Sequence, residues 1–320
     1  MRPIAVLSAI PQLSHHLQLA LPNAIFINLK SGQDDTVSHL TKSEIVVADV
    51  DLLMPYVDKL SETKWVQATW AGLENFVANL RNKTIAFTIT RFSGIDFGYA
   101  MSEYVVSQIV NFERDQKRLY ENQAKGVWDT SGRISDHRRI SDLTIGVLGL
   151  GEIGSFVAKT LKGFGATIWG LSRTGSHKEE YIDKQVTTKL LPELLKASDY
   201  VINTMPSTDD TRGLLNGDVL EYCSAKKSIF INIGRGSIIR ENDLINALEK
   251  KWISGAILDV FENEPLPQAS KLWTLPEVVI SPHVSGISRS SDIARVFAEN
   301  HRRYSNGEPL KNIIDISRGY

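Results

Sequence analysis

Three polar side chains of this chain stand just after short apolar runs, and their types suit proton transfer and the binding of an anion. Arg235 follows Ile231-Asn-Ile-Gly234, Glu264 lies in Asp259-Val-Phe-Glu-Asn-Glu-Pro265, and His283 lies in Ser281-Pro-His-Val-Ser-Gly286. Short apolar runs of this kind read as buried strands. The residue that follows each one then stands at the strand's carboxyl end, the edge at which open parallel sheets bind ligands. Singly, each has a plainer reading: a surface arginine, a turn acid before proline, a loop histidine. Three such positions on one edge shift the balance toward a reaction site.

The stretch that would position them is Thr144-Ile-Gly-Val-Leu-Gly-Leu-Gly-Glu-Ile-Gly154. Residues 144–148 read as a buried strand and residues 155–164 as a helix, with Gly149-Leu-Gly151-Glu-Ile-Gly154 between them. That is G-x-G-x-x-G in the setting that gives it meaning. Gly149 allows the tight turn, Gly151 lets backbone approach a pyrophosphate, and Gly154 lets helix and strand pack. The phosphates would sit on the helix N-terminus, where N–H groups point outward. A bland glycine turn remains the alternative for the pattern alone; its flanks favour a dinucleotide site.

The whole chain narrows the classes. At 320 residues it suggests about two domains. Lys and Arg number 36 against 37 Asp and Glu, so no basic field favours nucleic acid or an anionic membrane. One cysteine, Cys223, excludes an intramolecular disulfide and fits a reducing compartment such as the cytoplasm. No run is apolar for long enough to span a bilayer, and no metal site is expected.

Strand-like runs at 4–8, 24–27, 45–48, 65–67 and 84–87 alternate with helical pieces such as 13–21 and 73–80. This first α/β unit lacks a glycine fingerprint after its first strand, which makes it the substrate-side domain. Within it, Thr69-Trp-Ala-Gly-Leu-Glu74 joins a strand to a helix, and small residues there can expose N–H groups to a carboxylate. From the motif alone an ordinary strand–helix turn is favoured. A long helical pattern starts near Phe97 and carries Met101, Tyr104/Val105, Ile109 and Phe112 on one face. It suits a bridge between domains or a subunit interface, as does the loop with Trp128, or simply a surface helix with one buried face. Beyond the glycine turn, further strands at 167–171, 198–203, 228–233, 254–260 and 278–281 alternate with helices at 190–196, 218–223 and 241–250. The predicted architecture is two doubly wound parallel-sheet α/β domains, a flavodoxin-like one over 1–97 plus 289–320 and a Rossmann one over 98–288, with a cleft between them. The last helix, near 290–304, crosses back to the first domain, and hinges fall near 93–98 and 286–290.

The second strand after the fingerprint ends in Ser172-Arg-Thr174, where an NAD site ordinarily has an acid for the ribose hydroxyls. A guanidinium between two hydroxyls suits a 2′-phosphate, and removing the acid removes its repulsion. A solvated turn is the plainer alternative. NADP(H) is favoured, NAD(H) is possible, and Lys178 adds positive charge.

Leu148-Gly-Leu-Gly-Glu-Ile-Gly154, Asn203-Thr-Met-Pro-Ser-Thr208, Ile231-Asn-Ile-Gly-Arg-Gly236, Leu258-Asp-Val-Phe-Glu-Asn-Glu-Pro-Leu-Pro267 and Ser281-Pro-His-Val-Ser-Gly286 together resemble the D-isomer-specific 2-hydroxyacid dehydrogenase family, in its order and spacing and over essentially the full chain. The Ser-Arg-Thr turn and the Thr-Trp-Ala-Gly segment look most like its glyoxylate/hydroxypyruvate reductase branch. The resemblance implies catalytic roles for Arg235, Glu264 and His283, and cofactor contacts from Leu150, Gly151, Glu152, Ile153, Gly154, Ser172, Arg173, Thr174, Thr204, Met205, Pro206, Ile233 and Asp259. It implies a substrate site made by backbone N–H groups of Ala71 and Gly72 with Arg235 and His283, and a homodimer built through the cofactor domains.

Reducing a 2-keto acid needs a hydride at the carbonyl carbon and a proton at its oxygen. A charged His283 supplies the proton, and Glu264 beside it favours the charged ring. Arg235 binds the carboxylate and polarises the carbonyl. The leading expectation is thus NADPH-dependent reduction of small 2-keto acids such as glyoxylate or hydroxypyruvate to D-2-hydroxy acids. The alternatives are an NAD-dependent D-2-hydroxyacid or phosphoglycerate-type dehydrogenase and a dinucleotide-sensing, corepressor-like binding protein. Trp70, Arg91, Trp128 and Trp273 are candidates for the variable end of the substrate, and the sequence does not rank them.

Overall fold

The computed structural model describes residues 2–81, 83–175 and 179–316. The chain divides into two compact units, Met1–Phe97 with Ile287–Tyr320, and Gly98–Gly286. The first unit is built on strands β1 (Ile4–Leu7), β2 (Phe26–Leu29), β3 (Ile45–Ala48), β4 (Trp65–Ala68) and β5 (Thr88–Thr90). They form one parallel sheet in the order β2-β1-β3-β4-β5. Between them run α1 (Leu13–Ala20), α2 (Thr36–Lys42), α3 (Val50–Leu53) and α4 (Glu74–Leu80).

The last strand of this sheet departs from the sequence expectation. Residues 84–87 are apolar but irregular, and the strand is Thr88–Thr90. Its register is set by polar residues: buried Thr90 accepts a hydrogen bond from Trp65 Nε1 at 2.8 Å and donates to Gln67 Oε1 at 2.9 Å. Hydrophobicity alone marks the wrong four residues because these bonds lie inside the core.

The helical pattern near Phe97 resolves into two helices, α5 (Ile95–Glu113) and α6 (Gln116–Ala124), with Asp115 at φ +50° between them. The second unit then continues with β6 (Thr144–Leu148), α7 (Glu152–Gly163), β7 (Thr167–Leu171), β8 (Lys184–Val186), α8 (Leu191–Ala197), β9 (Tyr200–Asn203), β10 (Ile229–Asn232), α9 (Glu241–Glu249), β11 (Gly255–Leu258) and β12 (Val278–Ile280). All seven strands are parallel, in the order β12-β11-β10-β9-β6-β7-β8. Every residue of β9, β10 and β11 is buried, as expected where helices cover both faces of a parallel sheet. The short edge strand β8 went unpredicted because it is largely polar, and the helix expected at 218–223 is a 3₁₀ turn, Val219–Cys223.

Helix α10 (Ser290–Ser305) belongs to the first unit, where it packs along α1. Its Phe297 and Tyr304 stack on Trp65 with ring centroids 5.1 and 5.6 Å apart, and the Tyr304 hydroxyl donates to Glu44.

Candidate active site

The strand order brings the chemical residues to one edge. Reading along the seven-stranded sheet from β12, the strand ends carry His283, the 259–264 segment, Arg235, the Thr204–Pro206 turn, the glycine turn and the Ser172 turn in succession. Six neighbouring strands of one parallel sheet thus present their carboxyl ends together.

The glycine turn has the shape its sequence requires. Gly149 sits at φ +100°, and a Cβ there would come within 2.7 Å of Met205 Cγ. A Cβ on Gly154 would collide with the Gly149 carbonyl oxygen, which also accepts the Thr204 hydroxyl at 2.7 Å. Gly151 differs: it caps α7, and a Cβ there would meet open space. The opening lies in front of the main-chain N–H groups of Glu152 and Ile153 in a twelve-residue helix, which fits a pyrophosphate. Leu150 is buried under the turn and fills the space that a Cβ on Gly170 would need. Met205 and Ile233 are buried, and Pro206 is half-buried.

At the end of β7 the three residues divide their work. Ser172 is buried, and its hydroxyl oxygen accepts from Gly175 N at 3.1 Å and from Gln185 Nε2 at 2.6 Å. It pins the turn from inside rather than lying open beside its neighbours. Arg173 and Thr174 are exposed. Lys178 lies outside the described residues. Gln185, on the unpredicted strand β8, gave no signal in the sequence because its role depends on pairing with β7.

Arg235 is held by two buried asparagines that sequence reading did not single out. Asn203 Nδ2 donates to Asn232 Oδ1 at 2.9 Å, and the same oxygen accepts from Gly234 N at 3.3 Å. Asn232 Nδ2 in turn donates to the Arg235 carbonyl at 3.2 Å. Leaving such buried amides unpaired costs about 1–3 kcal/mol each, so the network fixes one path for the turn. The glycines on either side are dictated by close packing: a Cβ on Gly234 would lie 2.7 Å from Asn203 Nδ2, and one on Gly236 would overlap the Phe261 backbone. The Arg235 side chain is half-buried, with Nη1 donating to the Gly234 carbonyl at 2.7 Å.

His283 and Glu264 form a pair. Nδ1 of the ring lies 2.7 Å from Glu264 Oε2, and the other carboxylate oxygen accepts from Phe261 N at 2.9 Å. With Nδ1–H turned to the carboxylate, Nε2 is the nitrogen left to work outward. The two side chains are 50% and 36% exposed, so a substrate can reach them from solvent.

His283 has φ +55°, a left-handed conformation that costs a residue with a Cβ roughly 1–2 kcal/mol. Asp259 offsets that cost. It is fully buried; its Oδ1 accepts from Ser281 Oγ at 2.5 Å and Val284 N at 2.8 Å, and its Oδ2 accepts from Ser285 N at 2.9 Å. Its carbonyl also accepts from His283 N at 2.9 Å. The resemblance implied a place for Asp259 beside the nicotinamide; in the fold both of its carboxylate oxygens also bond the histidine loop.

Ala71 and Gly72 lie in the first unit, half-buried between β4 and α4. Buried Thr69, which opens their turn, donates to Asp49 Oδ1 at 2.6 Å.

The family model described as D-isomer specific 2-hydroxyacid dehydrogenase, NAD binding domain, matches residues 106–285. Glyoxylate/hydroxypyruvate reductase A of Klebsiella pneumoniae (strain 342) is 32% identical over 263 residues, covering 80% of this chain and 82% of that protein. The protein of the same name from Photorhabdus laumondii is 30% identical over 310 residues, covering 95% and 94%. Among solved structures, a D-isomer specific 2-hydroxyacid dehydrogenase from Xanthobacter autotrophicus Py2 in complex with NADPH and MES superposes with a TM-score of 0.87 at 29% identity, covering 99% of both chains. An NADPH-dependent glyoxylate/hydroxypyruvate reductase from Sinorhizobium meliloti, in complex with NADP and sulfate, gives 0.86 at 25% identity over 100% of both. The chain belongs to the D-isomer specific 2-hydroxyacid dehydrogenase family.

Proposed function

We propose that this protein is an NADPH-dependent reductase of small 2-keto acids, of the glyoxylate and hydroxypyruvate class, yielding D-2-hydroxy acids. The observation that carries the reading is the His283–Glu264 pair at 2.7 Å, at the sheet edge that also presents the glycine turn. Relatives named for glyoxylate and hydroxypyruvate, and similar structures holding NADPH or NADP, support the substrate and cofactor classes.

The cofactor, when bound, supplies the hydride that reaches the carbonyl carbon. The N-terminus of α7 would hold its pyrophosphate, and Arg173 and Thr174 its 2′-phosphate, on a turn with no carboxylate from Ser172 to Gly175. His283, charged, gives its Nε2 proton to the carbonyl oxygen, while Glu264 holds Nδ1–H and stabilises the cation. Arg235 offers its planar fork to the carboxylate of the keto acid and polarises the carbonyl. Ala71 and Gly72 are the proposed backbone donors to that carboxylate.

Among the described residues no helix is long and apolar enough to cross a membrane. Burial pushes the Cys223 thiol up to about 11, so it stays protonated and inert. A single cysteine fits a reducing compartment, and we propose the cytoplasm. We further propose a homodimer through α6 and the loop after it. Trp128 there is 96% exposed and Tyr120 and Val127 are also exposed, while buried Asn122 Nδ2 and His137 Nδ1 find no partner among the described residues. Trp128→Arg should then halve the mass measured by light scattering; an unchanged mass rejects this face.

Initial rates of NADPH and NADH oxidation with glyoxylate, hydroxypyruvate, pyruvate and bulkier 2-keto acids test the reading. Fast turnover with NADPH and the small acids is expected. Preference for NADH would remove the 2′-phosphate argument, and tight dinucleotide binding without turnover would remove the reductase.

A further inference from the structure

The inference rests on the reductase reading and concerns how its histidine is held. Tyr104 lies on α5, and its hydroxyl is 2.7 Å from Ser281 Oγ. Ser281 has one hydroxyl proton, and that proton goes to the Asp259 carboxylate, which can only accept. The Tyr104 hydroxyl is therefore the donor to Ser281. Burial raises the Tyr104 phenol above its usual value, so it remains a donor across the working range. One turn earlier on the same helix, Met101 Sγ accepts from Ser285 Oγ at 3.5 Å. Helix α5 thus contacts the histidine loop on both sides of His283.

We propose that Tyr104 is a positioning residue for the reaction: through Ser281 and Asp259, its hydroxyl keeps the His283 loop in the left-handed conformation that sets the imidazole on Glu264. Replacing Tyr104 by phenylalanine removes only the hydroxyl and with it the bond to Ser281. Without it, Ser281 can rotate away from Asp259 Oδ1, and that oxygen loses one of the two donors that fix its orientation. The peptide N–H groups of Val284 and Ser285 then hold a less constrained carboxylate, and the ring they position loosens.

The test uses Tyr104→Phe, Ser281→Ala, Ser281→Thr and the double variant Tyr104→Phe/Ser281→Ala, assayed with NADPH and glyoxylate. Each of the two hydroxyl deletions should lower kcat about tenfold with the KM for NADPH unchanged, a size typical of a misplaced catalytic group. The double variant should be no slower than the slower single one, because both break the same chain. Ser281→Thr, which keeps a hydroxyl, should recover most of the rate. An unchanged kcat in Tyr104→Phe overturns the proposal, as do losses that multiply in the double variant. A separate readout covers an inactive wild type, which would sink the reductase reading but not this one. In protein labelled with ¹⁵N-histidine, the Nδ1–H proton of His283, assigned by its absence in His283→Ala, should be sharp in the wild type and broadened in Tyr104→Phe. An unchanged resonance overturns the proposal whatever the activity.

Discussion

Asp49 and Asp259 do related work in the two sheets. Each is a buried carboxylate just past a parallel strand, β3 and β11 respectively, and each accepts three close hydrogen bonds. Asp49 takes Ser8 Oγ and Ala9 N, both at 2.7 Å, and Thr69 Oγ1 at 2.6 Å. Its donors come from the turns after β1 and β4, the two neighbours of β3, so it ties one strand end to those on either side. Asp259 takes all its carboxylate donors from a single loop, residues 281–285, and within that loop lies His283, at positive φ. One carboxylate fastens a sheet edge symmetrically. The other holds the strained loop that carries His283, the proposed proton donor. A buried charge with a full set of donors can therefore stabilise a fold or set a reaction geometry, and what distinguishes the two is whether the donors bracket a reactive side chain.

Variants on the two sides should separate these roles. The largest effect is expected from His283→Ala, which keeps the loop but removes the acid: kcat should fall about 10³-fold while NADPH binding, followed by fluorescence, is kept. Near-normal turnover would move the proton donor elsewhere. Next, Asp259→Asn sets an amide against N–H donors and should lower kcat roughly 10²-fold with little change in the KM for the keto acid. Asp49→Asn should do the reverse. We expect its kcat to stay close to wild type, its keto-acid KM to rise roughly tenfold because the turn leading to Ala71 and Gly72 is loosened, and its stability in urea to drop by about 2 kcal/mol. If Asp49→Asn lost kcat and Asp259→Asn lost only stability, the comparison would be inverted. The smallest effect belongs to a residue outside both clusters. Gln185→Ala removes a donor to Ser172, and the ratio of NADPH to NADH kcat/KM should fall about threefold to fivefold, with a parallel weakening of 2′-phospho-AMP binding in calorimetry.

Much of the second sheet was legible because most of its strands are mainly apolar runs. The glycine fingerprint also marked its own helix, although α7 begins at Glu152 rather than at Ser155, since the turn at Gly149 is tighter than a sequence pattern can indicate. Arg235 and the His283–Glu264 pair could be named as candidates, but not the residues that hold them in place. The Tyr104–Ser281 bond joins residues 177 positions apart, and the Asn203–Asn232 bond requires β9 and β10 to be neighbours. Both asparagines end otherwise apolar strands, and a polar residue in such a place is the signal that would have found them. Thr90 and Gln185 escaped for the opposite reason: their strands carry polar side chains that are satisfied only once the sheet has formed.

The stacking of α10 on Trp65 has a bearing on how the chain is made. Synthesis runs from the amino end, so the five strands of the first unit and the whole second unit are synthesised before Ser290–Ser305. Until then the faces of Trp65 and Phe26 that receive Phe297 stand open to water as an apolar patch on an otherwise formed sheet. The second unit is continuous in sequence and can finish on its own schedule; the first, although begun earlier, is completed last. During that interval the nascent protein should be at its most sticky, and a chain stopped after Gly286 should depend on chaperones in a way the full chain does not.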